Sequence, residues 1–560
     1  MHSQLISQRL QVDKAVSSSN PPWWWGAVAC VALSLAVIVT YHGMERNGFH
    51  FDDWPNILQL QAIKLSTLSL SGLIEAGRHA FLPLRPLPSI TFALDWWRGN
   101  GAAAPFLVTN LALHVLTTCA VWSLLRQVQL MANGGSLPPP PLLAAAGATL
   151  WWALQPIHVQ AVSYIVQRMT ILAALFTLTA ATSYLKARGN TRQPFLWLAC
   201  SVISLLLAAT SKENAWIAPL LLLMTEFLIV RSDGPLIRSR FDRALIALPL
   251  VGTLFILIDL LAQGPISHWA LRGYETRSFT LGDRLLTQPK VVLFHISQLL
   301  WPLPDRFSLE HDVQIVHSAA SLAFWLPALV ITAWCGVALK LAYGRMHRIS
   351  AFWMLWIPAT LVIESSFVPL EMVFEHRMYL PSVGFAGLVA QGLARTGSWH
   401  PRGRAVAWTV LATFALLSMW STNERIPQWR TETTLYEQAV KVAPHSARAW
   451  NYLGISLLSQ RRNEQVSPEH YAQALDAFSR AIELDARYAA PWTNRGVAHW
   501  VHGEADAAQH DLETAISLSD KDSAAFHYLF EIYQAAGRPE DARWARHRAC
   551  FLGVRNDCYR

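Results

Sequence analysis

The chain has 560 residues, 53% of them hydrophobic and 15% charged, and its mean hydropathy is +0.26. A soluble domain carries about 25% charged residues, so the composition excludes a wholly soluble protein. The formal net charge of +8 sits mainly in short segments between apolar runs, which argues against a nucleic-acid partner and fits the basic loops that orient membrane spans.

The stretch to about Lys14 is polar, and residues 1–21 are expected to form a cytoplasmic tail. The run from Pro22 to Tyr41 is too long for a signal-peptide core and has no small-residue cleavage site, so it reads as a retained first span. Because a crossing needs about 20 apolar residues, eleven are expected, near 22–42, 105–125, 142–157, 162–185, 194–210, 215–230, 243–262, 320–341, 350–364, 379–395 and 404–421. The run from Leu285 to Trp301 carries Lys290 and His295 and is expected to be re-entrant or interfacial.

With the N-terminus inside, the inside loops fall at 126–141, 186–193, 231–243, 340–350 and 395–404, and four of the five are basic, as retention of cations on the cytoplasmic side requires. An odd count puts the loop 43–104 and everything after 421 on the same, non-cytoplasmic face. Many of the 25 Trp, such as Trp23 to Trp25, Trp96 and Trp97, and Trp151 and Trp152, flank or enter apolar runs as interfacial anchors.

The segment 422–549 contains an internal repeat. Trp450, Trp492 and Phe526 recur at intervals of 42 and 34, and so do Tyr436, Phe478 and Leu512, and Ala439, Ala481 and Ala515. The longer interval places an insertion near Arg461 to His470. Helix pairs of 34 residues with small Ala at close contacts, as in AWNYLG (449–454) and AFSRAI (477–482), follow the tetratricopeptide pattern, and about three units fit. Stacked, they form an α-solenoid whose groove takes a peptide; most of these aromatics are read as core. Residues 550–560 form a short tail in which Cys550 and Cys558 are expected to pair if it meets an oxidising compartment. The other four cysteines, Cys30, Cys119, Cys200 and Cys335, lie inside apolar runs.

Ionisable groups at a membrane boundary are costly, so their clustering on one face marks candidate chemistry. The outer face carries Asp52 and Asp53; Arg85; His158, Gln160 and Arg168; Lys212 and Glu213; Glu310, His311 and Asp312; and Glu375, His376, Arg377 and Tyr379. Each alone reads as a turn, a cap or a snorkelling anchor. Together, an aspartate beside several cations suits a group transfer in which a carboxylate takes the proton of a hydroxyl nucleophile and cations neutralise a phosphate leaving group. No phosphate loop, dinucleotide fingerprint or nucleophile elbow is present, so a lipid-borne phosphate fits the location better than a nucleotide.

Five motif regions now stand in order: FDDWPNI (51–57); RPLPSITF (85–92) with NLALH (110–114); QPIHVQAV (155–162) with RMTILAALF (168–176); SKENA (211–215); and EHRMYLPSVGF (375–385). From about residue 50 to the end, the chain resembles the membrane tetratricopeptide-repeat O-mannosyltransferases, glycosyltransferases of the GT-C class that depend on a polyprenyl-phosphate sugar. The resemblance implies an all-α fold, with a polytopic bundle over 22–421 and a C-terminal repeat solenoid. It implies inverting transfer of a hexose, mannose in the best-known members, from the lipid donor to Ser or Thr of a protein held by the repeat groove. Asp52 is expected as base with Asp53 in support. Arg85, His158, Arg168, Lys212, Glu213, His376, Arg377 and Tyr379 are expected around the donor, with Arg168 and Arg377 preferred for the phosphate because guanidinium matches its oxygens bidentately. No certain cofactor is implied, and a divalent metal at the acidic loop stays open.

Animal members carry more repeats, and the chain has no Asn-x-Ser/Thr sequon. The expected setting is therefore a bacterial inner membrane with loop and repeats periplasmic, the alternative being the endoplasmic reticulum with lumenal repeats. Two rival readings are a non-catalytic membrane anchor for a repeat module and a transferase acting on a glycan or lipid.

Overall fold

The computed structural model describes residues 24–133, 139–189, 191–231, 273–275, 277–344, 347–396, 400–459 and 467–554. All regular structure among them is helical. They divide into two compact units: one up to Phe307 together with Val313–Trp429, the other Ser308–Asp312 with Arg430–Arg560.

In the first unit, α1 (Trp24–Thr40) has no charged residue, and the chain then turns at Gly43, whose φ of +87° is open to glycine without strain. The loop 43–104 is structured. It holds a short turn of helix at Trp54–Leu58, then α2 (Leu70–Arg78) and α3 (Pro86–Gly99), the latter opened by Pro86, which has no N–H to leave unpaired. Next come α4 (Ala103–Ala132), α5 (Pro139–Ala153) and the short α6 (Val159–Ser163). Pro156 interrupts the apolar run between α5 and α6, and the two segments bend by 54°. α7 (Arg168–Arg188) is the centre of the bundle, buried along most of its length and packed on α4 and on α8 (Pro194–Ala209).

The unit continues with α9 (Ala218–Thr225), α10 (Leu281–Leu300), α11 (Leu322–Tyr343), α12 (Arg348–Leu361), α13 (Ser382–Arg395) and α14 (Pro401–Arg425). Five helical stretches among the described residues are long and apolar enough to cross a membrane: Ala103–Ala132, Ile165–Arg188, Glu213–Val230, Leu322–Tyr343 and Pro401–Trp429. The bent pair makes a sixth, and α1 and α8 are shorter apolar helices. The runs expected to cross at 350–364 and 379–395 form helices of 14 residues each, α12 and α13. The expected crossing at 243–262 lies outside the described residues. The run expected to be re-entrant is α10, an amphipathic helix opened by a reciprocal cap between Thr280 and Asp283.

The second unit is a row of helices, α15 (Glu432–Val442), α16 (Ala447–Ser459), α17 (Pro468–Leu484), α18 (Ala489–Val501), α19 (Ala505–Leu518), α20 (Ser523–Ala535) and α21 (Pro539–Phe551), each packed on the next in sequence. The recurring residues are its packing positions. Ala439, Ala481 and Ala515 are fully buried, as are Phe478 and Leu512. A Cβ on Gly454 would lie 2.5 Å from the Phe478 ring, and one on Gly496 would lie 2.8 Å from Leu512, so both pairs of helices close on a glycine. The Trp450 and Trp492 indoles donate to the carbonyls of Pro444 and Ala486, each six residues back, at 2.9 and 3.1 Å. Of the expected cysteine pair, Cys558 lies outside the described residues.

Candidate active site

The acidic pair lies in the loop that follows α1, 12 residues past Thr40, and its two carboxylates differ in their surroundings. Phe51 adopts φ +46°, a left-handed conformation that a bulky side chain rarely takes. This turn sends Asp53 inward, where it is fully buried, and leaves Asp52 partly open. Asp53 Oδ2 accepts the His50 N–H at 2.8 Å and Oδ1 accepts the Val166 N–H at 2.7 Å. It therefore joins the acidic turn to the segment that opens α7. Burial pushes the Asp53 carboxyl up to about 8, against the two amides that favour its charged form.

Asp52 is held through its backbone, and its carboxylate also meets the Tyr164 hydroxyl. Its N–H donates to the Tyr164 hydroxyl at 2.8 Å, and its carbonyl accepts from Asn56 Nδ2 at 2.8 Å. Tyr164 stacks on Trp429, and the Trp429 carbonyl in turn meets His50 Nε2 at 2.6 Å. Burial raises the Asp52 carboxyl above the usual carboxylate range; the Tyr164 hydroxyl opposes this, as do Arg277 and Arg85, while Glu371 adds to it. Arg277 and Arg85 thus act on Asp52 electrostatically, and each is itself paired with a glutamate.

Arg85 lies at the start of α3 and grips Glu213 with two nitrogens, Nε to Oε2 at 2.9 Å and Nη2 to Oε2 at 2.6 Å. Arg277 pairs with Glu371 and donates to the Pro369 carbonyl at 3.2 Å. A third pair, Lys212 with Glu364 at 2.8 Å, is buried, and Lys212 also donates to Thr170 Oγ1 at 3.0 Å. Burial holds the Lys212 ammonium below its ordinary pKa. Glu364 and Glu371 stand at the two ends of one irregular loop whose carbonyls are captured by side chains. Arg284 donates to those of Glu364, Ser366 and Leu370 at 2.6, 3.0 and 2.6 Å, and Arg377 donates to that of Glu371 at 2.6 Å. A loop held in this way has its two carboxylates fixed before any ligand arrives.

His376 is buried, with its N–H donating to Gln160 Oε1 at 2.8 Å, and burial drives its imidazole well below the ordinary value, so it is neutral at pH 7. Among the described residues no group of three or more His, Cys, Asp or Glu is arranged to hold a metal ion.

Arg168, expected at the donor phosphate, is fully buried and engages all three of its nitrogens inside the protein. Nη2 meets Asp95 Oδ2 at 2.5 Å and the Phe106 carbonyl at 2.8 Å, Nε donates to Asn110 Oδ1 at 2.7 Å, and Nη1 to Thr91 Oγ1 at 3.2 Å. Its cation is paired with Asp95 of α3, which Arg98 shares, and each of its nitrogens has a protein partner, which is a bracing role between α3, α4 and α7. His158 and Tyr379 belong to a buried ring cluster: the Tyr379 hydroxyl meets His114 Nδ1 at 2.6 Å, and the His158 ring lies 4.7 Å from Trp152 and 4.9 Å from Tyr379. Arg377 is placed with the loop carrying Glu371, where it acts on backbone carbonyls.

The sequence reading missed Tyr164, Arg277, Arg284, Glu364 and Glu371. Glu364 had a signal, since a carboxylate at the end of an apolar run is costly without a partner.

No family model matches the chain. Its sequence is similar to animal proteins named protein O-mannosyl-transferase. F38B6.6 of Caenorhabditis elegans is 22% identical over 82% of this chain and 63% of that protein. Tmtc3 of Drosophila melanogaster is 24% identical over 81% of this chain and 55% of its own length. TMTC4 of Homo sapiens is 23% identical over 81% and 66%. The chain spans roughly half to two thirds of the length of these relatives. They are eukaryotic, and the expected bacterial setting finds no support in them. What the chain shares with proteins of that name is similarity along most of its length, in a multi-pass helical protein.

Proposed function

We propose that the chain is a glycosyltransferase that moves a hexose, mannose-like, from a polyprenyl-phosphate donor to a Ser or Thr hydroxyl of a protein. The observation that carries this reading is Asp52, a partly open carboxylate on a turn pinned by Tyr164 and Asn56 at 2.8 Å each, in the electrostatic field of Arg277 and Arg85. In the proposed step Asp52 accepts the acceptor's O–H proton. The oxygen attacks the anomeric carbon from the face opposite the phosphate, and the polyprenyl phosphate leaves with the bonding pair, so the configuration inverts. Arg85 and Arg277 are proposed to meet the phosphate's growing charge, with Lys212 adding to the field. Asp53 holds the turn that presents Asp52.

The relatives' names support a protein acceptor, and the helical C-terminal unit is proposed to be the tetratricopeptide module that binds it. The chemistry is placed on the non-cytoplasmic face. The endoplasmic reticulum fits the animal relatives.

The test is a panel of polyprenyl-phosphate sugars offered to the purified protein with Ser/Thr peptides. Transfer of one hexose, with inverted anomeric configuration, is expected. Absence of transfer from every donor, in a folded protein whose repeats still capture a membrane or secreted partner, would favour the non-catalytic anchor.

A further inference from the structure

Glu310 and Asp312, two of the outer acidic residues, play no part at Asp52. The segment Ser308–Asp312 groups with the C-terminal unit instead. There Asp312 Oδ2 accepts the His445 N–H at 3.0 Å and lies 2.9 Å from its Nδ1, and Glu310 Oε1 lies 2.6 Å from Arg448 Nη2. Both partners stand at the start of α16. Close by, Tyr436 and Tyr452 stack with ring centroids 5.2 Å apart, and Glu310 acts electrostatically on the phenols of Tyr436 and Tyr488. The segment has no helix, and its Glu310 and Asp312 meet residues three apart, Arg448 and His445, on the same surface.

We propose that this surface is a docking site for extended peptides carrying acid-x-acid, and that Ser308–Asp312 is its resident, self-inhibitory occupant. The proposal rests on the reading of the C-terminal unit as the acceptor-binding module and adds the acceptor's chemistry. Two features favour exchange over a permanent clasp. The His445 side chain is 77% exposed against 26% for Asp312, so that contact is open to water and weak, while the Arg448–Glu310 pair, 31% and 12% exposed, is half-sheltered and screened less by salt. Beside them Tyr452 and Tyr488 are only partly buried and offer an incoming peptide contact area. A covalently attached occupant competes at an effective concentration on the order of mM, so it weakens a free peptide without abolishing its binding.

The experiment is fluorescence anisotropy of a labelled Ser/Thr peptide containing Glu-x-Asp, titrated with the full-length protein in detergent, without donor. Wild type is expected to bind weakly, and the double variant Glu310→Gln, Asp312→Asn about tenfold more tightly, because its occupant no longer competes. Arg448→Gln should lose the peptide, and a Gln-x-Asn peptide should not bind. Equal affinity for wild type and the double variant, both monodisperse on size exclusion, would overturn the proposal, as would equal binding of the two peptides. Because binding is read without transfer, an error in the assignment of Asp52 would leave these results unaffected.

Discussion

The Asp53 carboxylate accepts the backbone N–H of Val166 at 2.7 Å, joining the loop after α1 to the segment that opens the central helix 113 residues later. Its other oxygen is taken by the His50 N–H. In Asp53→Asn one oxygen becomes an NH2 that must face a backbone N–H. The variant is expected to lose about 1–3 kcal/mol of stability. Thermal unfolding in detergent would read this loss, and Asp52→Asn, whose carboxylate is partly open, should unfold close to wild type.

Tyr164 tunes Asp52 directly. Its hydroxyl favours the charged carboxylate, so Tyr164→Phe raises the Asp52 pKa further. A base works only when deprotonated, so activity rises with pH through that pKa and the acidic limb of the profile should move to higher pH in the variant. An unmoved limb with lowered activity at every pH would assign Tyr164 to structure alone.

Arg277 pairs with Glu371 and lies in the field of Asp52. Loss of one charged hydrogen bond to the donor phosphate in Arg277→Gln should raise the donor KM by about tenfold or more. The KM of the variant should also depend less on salt, since one screened contact is gone.

Arg168 is paired with Asp95 in full burial. Arg98 and Thr109 keep Asp95 partnered in Arg168→Leu, but Asn110 Oδ1 and the Phe106 carbonyl lose a buried donor, so the variant should cost about 1–3 kcal/mol, read as a lower unfolding midpoint. A well-folded Arg168→Leu protein with a raised donor KM would return this residue to the phosphate.

In the C-terminal unit, Gly454→Ala puts a methyl 2.5 Å from the Phe478 ring. The expected cost is about 1–3 kcal/mol, read as a lower unfolding midpoint with transfer to a small peptide little changed. Substitution at Gly503, where φ is +88° and no atom crowds the site, tests backbone strain alone.

Much of this was legible along the chain because it rested on local pattern. Apolar runs marked α1, α4, α11 and α14, and three residue series in register marked the packing positions of α15 to α20. The acidic turn and Arg85 were visible as charges beside apolar runs. What was not legible was pairing. Whether Arg168 meets a phosphate or a carboxylate depends on Asp95, 73 residues away on a helix that the sequence reading treated as loop. Arg277, Arg284 and Glu371 meet only through an irregular loop with no periodicity to betray it. The two aspartates look alike in sequence, and a single left-handed residue, Phe51, sends them to different surroundings.

The most direct test compares purified wild type, Asp52→Asn and Asp53→Asn for single-turnover transfer of hexose from a polyprenyl-phosphate donor to a Ser/Thr peptide, alongside their unfolding midpoints. Asp52→Asn is expected to keep the wild-type midpoint and lose transfer by about 100-fold or more, the range of a missing general base. Wild-type transfer by Asp52→Asn would contradict the assignment of Asp52 as the base.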